Sequence, residues 1–324
     1  MSLYKNKMMD ISVVIPLFNE AESLPELYDW IRRVMDENNF TYEIIMISDG
    51  STDESWEIIE VLSGKAPEVK GIKFRRNYGK SPALHCGFQR AQGDVIITMD
   101  ADLQDCPDEI PELYRMIKED GYDLVSGWKK KRYDNKLTKN LPSKLFNATA
   151  RLFSGVELHD FNCGLKSYNK EVIKNIEIYN DMHRYTPYLA KIAGFNRIGE
   201  KVVRHQARKY GKTKFGLSRF FNGYLDLITL WFTSRFGKKP MHIFGLWGSV
   251  MFFIGFIALI FVLSAKLISI IEGDLRPLVT NSPYFYISLT AMIIGTQLFL
   301  AGFIGELISR NSPNRNRYKI EKDF

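Results

Sequence analysis

No charged residue occurs between Ile243 and Leu263, and none between Tyr284 and Gly305. Each run has about 20 residues, enough at ~1.5 Å of rise per residue to match a hydrocarbon core of about 30 Å. A core helix of that length in a soluble protein usually keeps a polar stripe, so both runs predict membrane spans. Whatever else this chain folds into must therefore attach to a bilayer. The flanks set the expected orientation. Arg235, Lys238 and Lys239 precede the first run, and Arg310, Arg315, Arg317, Lys319 and Lys322 follow the second. The segment between holds Glu272, Asp274 and Arg276, with Lys266 at its edge. Cytoplasmic flanks gather Lys and Arg, so both termini are expected in the cytoplasm and the chain in the plasma (inner) membrane as a multi-pass protein. The formal net charge of +7 has the same explanation, because cations are favoured near anionic headgroups. No basic helix or aromatic-basic interleaving favours nucleic acid as the partner.

Ahead of the spans the chain alternates. Ile11 to Pro16, Tyr42 to Ser48, Val69 to Arg75 and Asp123 to Ser126 are apolar runs of strand length. Between them, Leu24, Leu27, Ile31 and Val34 recur at helical spacing. Ser51 or Thr52 stands where a cap would start a helix reaching about Leu62, and Pro82 opens a helix ending near Ala91. Strand and helix in alternation, joined by short loops, predict an α/β fold: a mostly parallel, Rossmann-like sheet with helices on both faces. Lys129 to Lys144 breaks the regularity. It is strongly basic without local periodicity and is read as a mobile loop. Leu165 to Tyr168 predicts one more short strand. From Phe215 to Phe236, apolar residues such as Leu217, Phe220, Phe221 and Tyr224 return every three or four positions, the pattern of a helix lying in a membrane interface. The expected domains are a cytoplasmic α/β unit over 1–214, amphipathic interface helices over 215–240, and a two-span hairpin with a basic tail over 241–324. Cys86, Cys106 and Cys163 lack C-x-x-C spacing and are expected to be free thiols.

The chemistry gathers between Gly93 and Pro107, GDVIITMDADLQDCP. Val95 to Met99 delivers Asp100, Asp102 and Asp105 to the end of a strand, where open α/β sheets bind their ligands. On an extended chain, alternation sets Asp100, Asp102 and Gln104 on one side, three oxygen donors suited to a hard divalent ion, Mg2+ or Mn2+. Acids this close repel one another, which gives a purely structural role little motive. Cations are placed to answer them. Lys129, Lys131 and Arg132, just after the neighbouring strand, are candidates for holding an anionic substrate group. Arg204, His205, Arg208, Lys209, Lys212 and Lys214 surround Gly211, a hinge suited to closing over a diphosphate. His159 to Gly164 is a polar turn in which Asp160 either faces the site or serves the turn itself.

Taken in order, Val14-Ile-Pro16 with Asn19-Glu20, Ser48-Asp-Gly-Ser51 with Asp53, Asn77-Tyr-Gly-Lys80, Asp100-Ala-Asp-Leu-Gln104, Asn162-Cys-Gly164 and Arg208 to Lys214 resemble the GT-A glycosyltransferases of family 2. Within that family the chain is similar to the polyisoprenyl-phosphate glycosyltransferases. The resemblance spans nearly all of the chain ahead of the spans. It implies that Pro16, Asn19, Glu20 and Asp49 hold the nucleotide base and ribose, and that Lys80 lies near the diphosphate. It also implies that Asp100, Asp102 and Gln104 are metal ligands and that Arg208 and Lys214 belong to a closing cationic segment. One departure is Ser48-Asp49, where many relatives carry two adjacent acids, which leaves the base identity open. The Q-x-x-R-W signature of processive synthases is absent, which implies transfer of a single sugar.

The expected reaction is inverting transfer of one hexose, glucose from UDP-glucose, to a polyprenyl phosphate such as undecaprenyl phosphate. Bond cleavage builds negative charge on the leaving phosphate, which a cation at Asp100 and Asp102, with Lys80 and Arg208, would stabilise. A lipid monophosphate is already ionised at neutral pH, its second pKa being about 6, so no general base is required and Asp160 is at most an orienting group. Lys129, Lys131 and Arg132 are the candidates for the acceptor phosphate. Another donor such as GDP-mannose, another lipid acceptor, and a non-catalytic nucleotide-sugar-binding scaffold stay open as readings. Gly245, Gly248, Gly255, Gly295, Gly302 and Gly305 would permit close helix contact between protomers, so a homo-oligomer is admitted.

Overall fold

The computed structural model describes residues 9–130, 140–178, 181–210, 218–237, 239–273 and 278–311. The chain forms two compact units, Met1–Ile228 and Thr229–Phe324. The first is built on a seven-stranded sheet of order β3-β2-β1-β4-β6-β5-β7. Its first strands alternate with helices as the apolar pattern predicts: β1 (Ile11–Leu17), α1 (Leu24–Glu37), β2 (Tyr42–Ser48), α2 (Ser55–Lys65), β3 (Val69–Lys73), α3 (Lys80–Arg90) and β4 (Val95–Thr98). All seven residues of β1 are buried, because both faces of a parallel sheet carry helices. On one face Ile11, Val13 and Ile15 pack with Leu27 and Ile31 of α1 and with Leu113 of α4 (Ile110–Lys118). On the other, Gly87 of α3 lies directly against Val14 and Ile47, a separation that a side chain would prevent.

Three features of the sheet create a cleft. The chain runs from β1 out to β3 and then returns to place β4 on the opposite side of β1, so the two directions part between β1 and β4. β1 pairs with β4 only through Val14 but with β2 through Leu17, so β1 outruns β4 at its C-terminal end. Pro16 faces the β4 side past the end of that ladder, where its missing N–H costs the sheet nothing.

The remaining strands depart from a purely parallel sheet. β5 (Leu124–Trp128) is followed by α5 (Asn140–Ser154), so Asn140 to Lys144 of the expected loop open a helix; 131–139 lie outside the described residues. β6 (Lys166–Asn169) then runs antiparallel to both β4 and β5. The cause is local: the polar turn before it ends at the C-terminal edge of β4, so the strand that follows must descend. α6 (Lys170–Asn175), α7 (Thr186–Ile192) and β7 (Ile198–Val202), parallel to β5, complete the sheet's surroundings. α8 (Ser218–Phe236) follows, over the segment read as amphipathic.

In the second unit, α9 (Pro240–Ile271) and α10 (Pro283–Arg310) include stretches long and apolar enough to cross a membrane. Trp247, Phe253, Ile257, Phe261 and Ile287 are more than half exposed. A soluble core hairpin would bury such residues, whereas a continuous apolar exterior suits lipid. Glycines expected to permit close helix contact do so here inside the hairpin. A Cβ on Gly248 would lie 2.6 Å from the Gly295 carbonyl oxygen, one on Gly255 2.7 Å from that of Ser288, and one on Gly302 3.0 Å from the Gly245 nitrogen. The small residues seat one helix against the other within a single chain.

Candidate active site

The loop after β1 is tied to the loop after β2. Asn19 sits at φ 58°, a left-handed conformation that asparagine tolerates. Its N–H donates to Ser51 Oγ at 3.1 Å, and its Oδ1 accepts from the Thr52 N–H at 2.8 Å. The Ala21 N–H donates to Asp53 Oδ2 at 3.1 Å, while Asp53 Oδ1 accepts from the Ser55 N–H at 3.1 Å. Glu54 holds the N-cap position of α2 without a side-chain cap bond, so the first N–H of the helix is answered by Asp53 rather than by Ser51 or Thr52, which are spent on Asn19. Burial works to raise the Asp53 pKa, but the Ser55 hydroxyl and these amides outweigh it and hold the carboxyl below its ordinary value. A third loop joins through Asp49, which is buried and accepts from the Tyr78 and Gly79 N–H groups at 2.7 and 2.9 Å. Asp49 therefore fixes the turn that presents Lys80. A pocket of about 280 Å³ opens between Asn19, Glu20, Asp53 and Tyr210.

The acidic loop after β4 is not extended. Ala101 and Asp102 turn, and Leu103 adopts φ 59°, so the expected alternation of Asp100, Asp102 and Gln104 on one side is corrected. Repulsion explains the change, since an extended chain would align the carboxylates. Each instead takes its own cation. Lys80 pairs with Asp100, Arg208 Nη2 lies 2.5 Å from Asp102 Oδ2, and Lys129 Nζ lies 2.7 Å from Asp105 Oδ1. Asp102 also accepts from the Gln104 N–H at 3.2 Å, and Asp105 Oδ2 accepts from the Asp100 N–H at 3.1 Å. The balance differs from acid to acid. Burial tends to raise the Asp100 pKa, but Lys80 and then Lys129 overcome it and hold the carboxyl well below the usual range. At Asp102, burial, Asp100 and Asp105 together outweigh Arg208, and its pKa is pushed up to about 6.

Lys129 was expected at an acceptor phosphate, and the structure redirects it. Its side chain is 11% exposed and committed to Asp105, whose attraction overcomes burial and raises the lysine's pKa. Lys131 and Arg132 lie outside the described residues, as do Lys212 and Lys214.

Arg208 reaches Asp102 on a strap whose anchors sequence reasoning missed. Lys201, still within β7, pairs with Glu109 and lies 3.0 Å from Glu112, and just past the strand the Arg204 N–H donates to Glu109 at 3.1 Å. His205 then bridges antiparallel to Asp105, and the Gln206 N–H donates to the Gln104 carbonyl at 3.1 Å. Lys209 closes on Glu26 of α1 at 2.6 Å. Between these points Arg208 also faces Glu20 at 3.7 Å. The strap lies along the acidic loop like an added strand, and no sequence pattern pairs Lys201 with Glu109 in advance.

The turn before β6 lies along the edge of β4. Asp160 is buried and accepts from the Asn162 N–H at 3.1 Å, so the structure places it in the service of the turn. Thr98 Oγ1 donates to the Gly164 carbonyl at 2.8 Å, and a Cβ on Gly164 would sit 2.5 Å from Asp100 Oδ2. That closeness is why glycine ends the turn. Lys166, buried and unanticipated, donates to the Phe161 carbonyl at 3.2 Å and to that of Cys163.

Among the described residues no three His, Cys, Asp or Glu side chains converge as a metal cage. Asp100 and Asp102, hard oxygen donors whose charges crowd each other, fit the other common arrangement, in which one or two carboxylates hold a divalent ion together with substrate phosphates. A sheet that reverses beside such a pair, with cations aimed at it, is the build of a GT-A glycosyltransferase. The chain belongs to glycosyl transferase family 2, whose model matches residues 12–177. Dodecaprenyl-phosphate galacturonate synthase of Rhizobium johnstonii is 31% identical over 314 residues, 94% of this chain and 91% of that protein. Undecaprenyl-phosphate 4-deoxy-4-formamido-L-arabinose transferase of Shewanella sediminis is 35% identical over 316 residues, 96% of this chain and 91% of that one. Glucosyl-3-phosphoglycerate synthase from Mycobacterium tuberculosis in complex with UDP shares the fold. It has a TM-score of 0.53 and 20% identity, over 70% of this chain and 80% of its own. Another crystal structure of that enzyme contains Mn2+ and UDP-glucose.

Proposed function

We propose that this chain transfers one sugar from a UDP-sugar to a polyprenyl phosphate, with inversion, at the cytoplasmic face of the plasma membrane. The observation that carries the reading is coverage. Relatives named for polyprenyl-phosphate acceptors align with 94% and 96% of the chain, through the apolar helices as well as the acidic cleft. Their names carry galacturonate and 4-deoxy-4-formamido-L-arabinose, so UDP-linked forms of these two sugars stand ahead of UDP-glucose as donors. Under this reading 1–214 is the catalytic unit, 215–240 lies at the interface, and 241–324 spans the membrane with both termini inside.

The reaction follows from the charges. An oxygen of the lipid phosphate attacks the anomeric carbon from the face opposite the diphosphate; the new C–O bond forms as the bond to the β-phosphate breaks, and UDP leaves with the electron pair. Asn19, Glu20 and the loop fixed by Asp49 border the nucleotide end. Asp100 and Asp102, with Gln104 beside them, would hold the divalent cation, which when bound neutralises charge on the diphosphate. Lys80 and Arg208, released from these acids, turn to the leaving phosphates. No proton has to be removed from an ionised phosphate acceptor, which agrees with an Asp160 engaged in its turn.

The test is transfer by purified full-length protein, with Mn2+ and undecaprenyl phosphate, from each of the three radiolabelled UDP-sugars. A lipid-linked monosaccharide with one donor is the expected product. Label appearing only in diacylglycerol, or in no lipid while UDP still binds, overturns the proposal.

A further inference from the structure

The reaction above leaves one half-buried imidazole without a task. His183 belongs to the 3-10 turn Met182–Tyr185, and it is tied to Ser81, the second residue of α3. The His183 backbone N–H donates to Ser81 Oγ at 3.0 Å, and the same oxygen lies 3.1 Å from the ring's Nδ1. Ser81 is fully buried, and Nδ1 is the acceptor within reach of its hydroxyl proton among the described residues. A hydroxyl that already accepts the amide therefore donates to the ring, which makes Nδ1 the acceptor and leaves the hydrogen on Nε2. Protonation is opposed by burial first, then by Lys80, Arg184 and Lys166, with Asp100 the one favourable charge, so the pKa lies well below its ordinary value. His183 is thus a neutral imidazole locked in one tautomer. Its N–H is not engaged by any described hydrogen bond.

The position matters as much as the tautomer. Ser81 follows Lys80, the residue that pairs with Asp100, and both members of that pair keep about a third of their side-chain surface open, 30% and 34%. The nucleotide end of the cleft is bounded by the loops after β1 and β2, and the diphosphate end by Asp102 and Arg208. Through Ser81, His183 stands beside the pair of Lys80 and Asp100, near enough that Asp100 and the imidazole act on each other. What lies beyond the diphosphate in a nucleotide sugar is the sugar.

We propose that His183 is a specificity-determining residue whose Nε2–H donates a hydrogen bond to an oxygen of the transferred sugar. The inference rests on the UDP-sugar donor reading. Its test is calorimetric titration of the full-length protein with Mn2+, using UDP and the UDP-sugar that the wild type transfers, on wild type, His183→Gln, His183→Phe and Ser81→Ala. A lost hydrogen bond of this kind weakens binding about 5- to 10-fold. His183→Phe is expected to lose that much for the UDP-sugar while its affinity for UDP stays within about twofold. His183→Gln, whose amide N–H projects near the position of Nε2, restores most of the difference, and Ser81→Ala, which frees the tautomer, falls between. UDP-sugar binding by His183→Phe at wild-type strength overturns the inference. So does an equal loss for UDP and UDP-sugar in all three variants, which marks a structural role only. A wild type that binds UDP but gains nothing from any attached sugar removes the donor reading and the inference with it.

Discussion

The two ends of the sheet bury similar charged groups and use them in opposite ways. At the N-terminal end, Glu43 is fully buried, and both its oxygens are answered. Oε1 accepts from Ser12 Oγ at 2.6 Å and from the Gln92 N–H at 2.7 Å, and Oε2 meets Lys70 at 2.5 Å. Ser12 Oγ in turn accepts from the Gly93 N–H at 2.8 Å, so one carboxylate ties the starts of β1, β2, β3 and β4 together. At the C-terminal end three carboxylates crowd one loop, and the middle one is so poorly compensated that its pKa is pushed up to about 6. A satisfied buried carboxylate holds the fold; a crowded one keeps an appetite for cation. The strands carry both ends, so the difference comes from the partners each loop supplies.

Exchanging charge for neutrality at each end tests that contrast. The largest effect is expected for Asp102→Asn, a cut in sugar transfer of about 100- to 1,000-fold, the scale of losing one electrostatic contact to a developing charge. Its melting temperature should not fall, because repulsion from Asp100 and Asp105 is relieved as the Arg208 pair is lost. A melting temperature that drops while transfer persists would make the upper cluster structural and erase the distinction. Glu43→Ala should do the reverse. It leaves the Ser12 hydroxyl buried without its acceptor and takes from Lys70 and the Gln92 N–H the carboxylate they share, at a cost of about 3 kcal/mol in unfolding free energy, with transfer per folded molecule unchanged. Chemical denaturation alongside single-turnover rates reads both quantities.

The same contrast explains what was legible from sequence. Apolar runs mark β1, β2 and the two long C-terminal helices because burial or lipid contact acts on every residue in them, and Asp100 and Asp102 stand out because they end such a run. The antiparallel path of β6 was not legible: Leu165 to Tyr168 has the same composition in either direction, and only the turn held at the β4 edge decides. Nor was the role of Lys129, since a basic segment gives no sign of which lysine will meet Asp105. His183 and Lys166 were invisible because their partners, Ser81 and the carbonyls of Phe161 and Cys163, are set by tertiary contacts and carry no pattern. The glycines in the apolar runs showed that a close approach was coming, but spacing alone does not say whether the second helix belongs to the same chain.

Lys166 offers the finest test, because it is a buried cation with carbonyl partners at the crowded end. Burial depresses its pKa to about 8, with Cys163 opposing and Lys80 assisting. The sign follows from proton counting. Between that value and the ordinary lysine value of about 10.4 the unfolded chain keeps its proton while the folded one releases it, so folding is increasingly favoured as pH rises through this window. Below pH 8 the folded protein carries the full penalty of the buried charge. Relative to Lys166→Met, which has no such proton, the wild type should therefore gain on the order of 1 to 2 kcal/mol between pH 7.5 and 9.5. Paired denaturation curves at the two pH values measure the gap. If it stays constant, Lys166 keeps an ordinary proton affinity inside the protein, and the turn that ends at Gly164 rests on a comfortably solvated ammonium rather than a strained one.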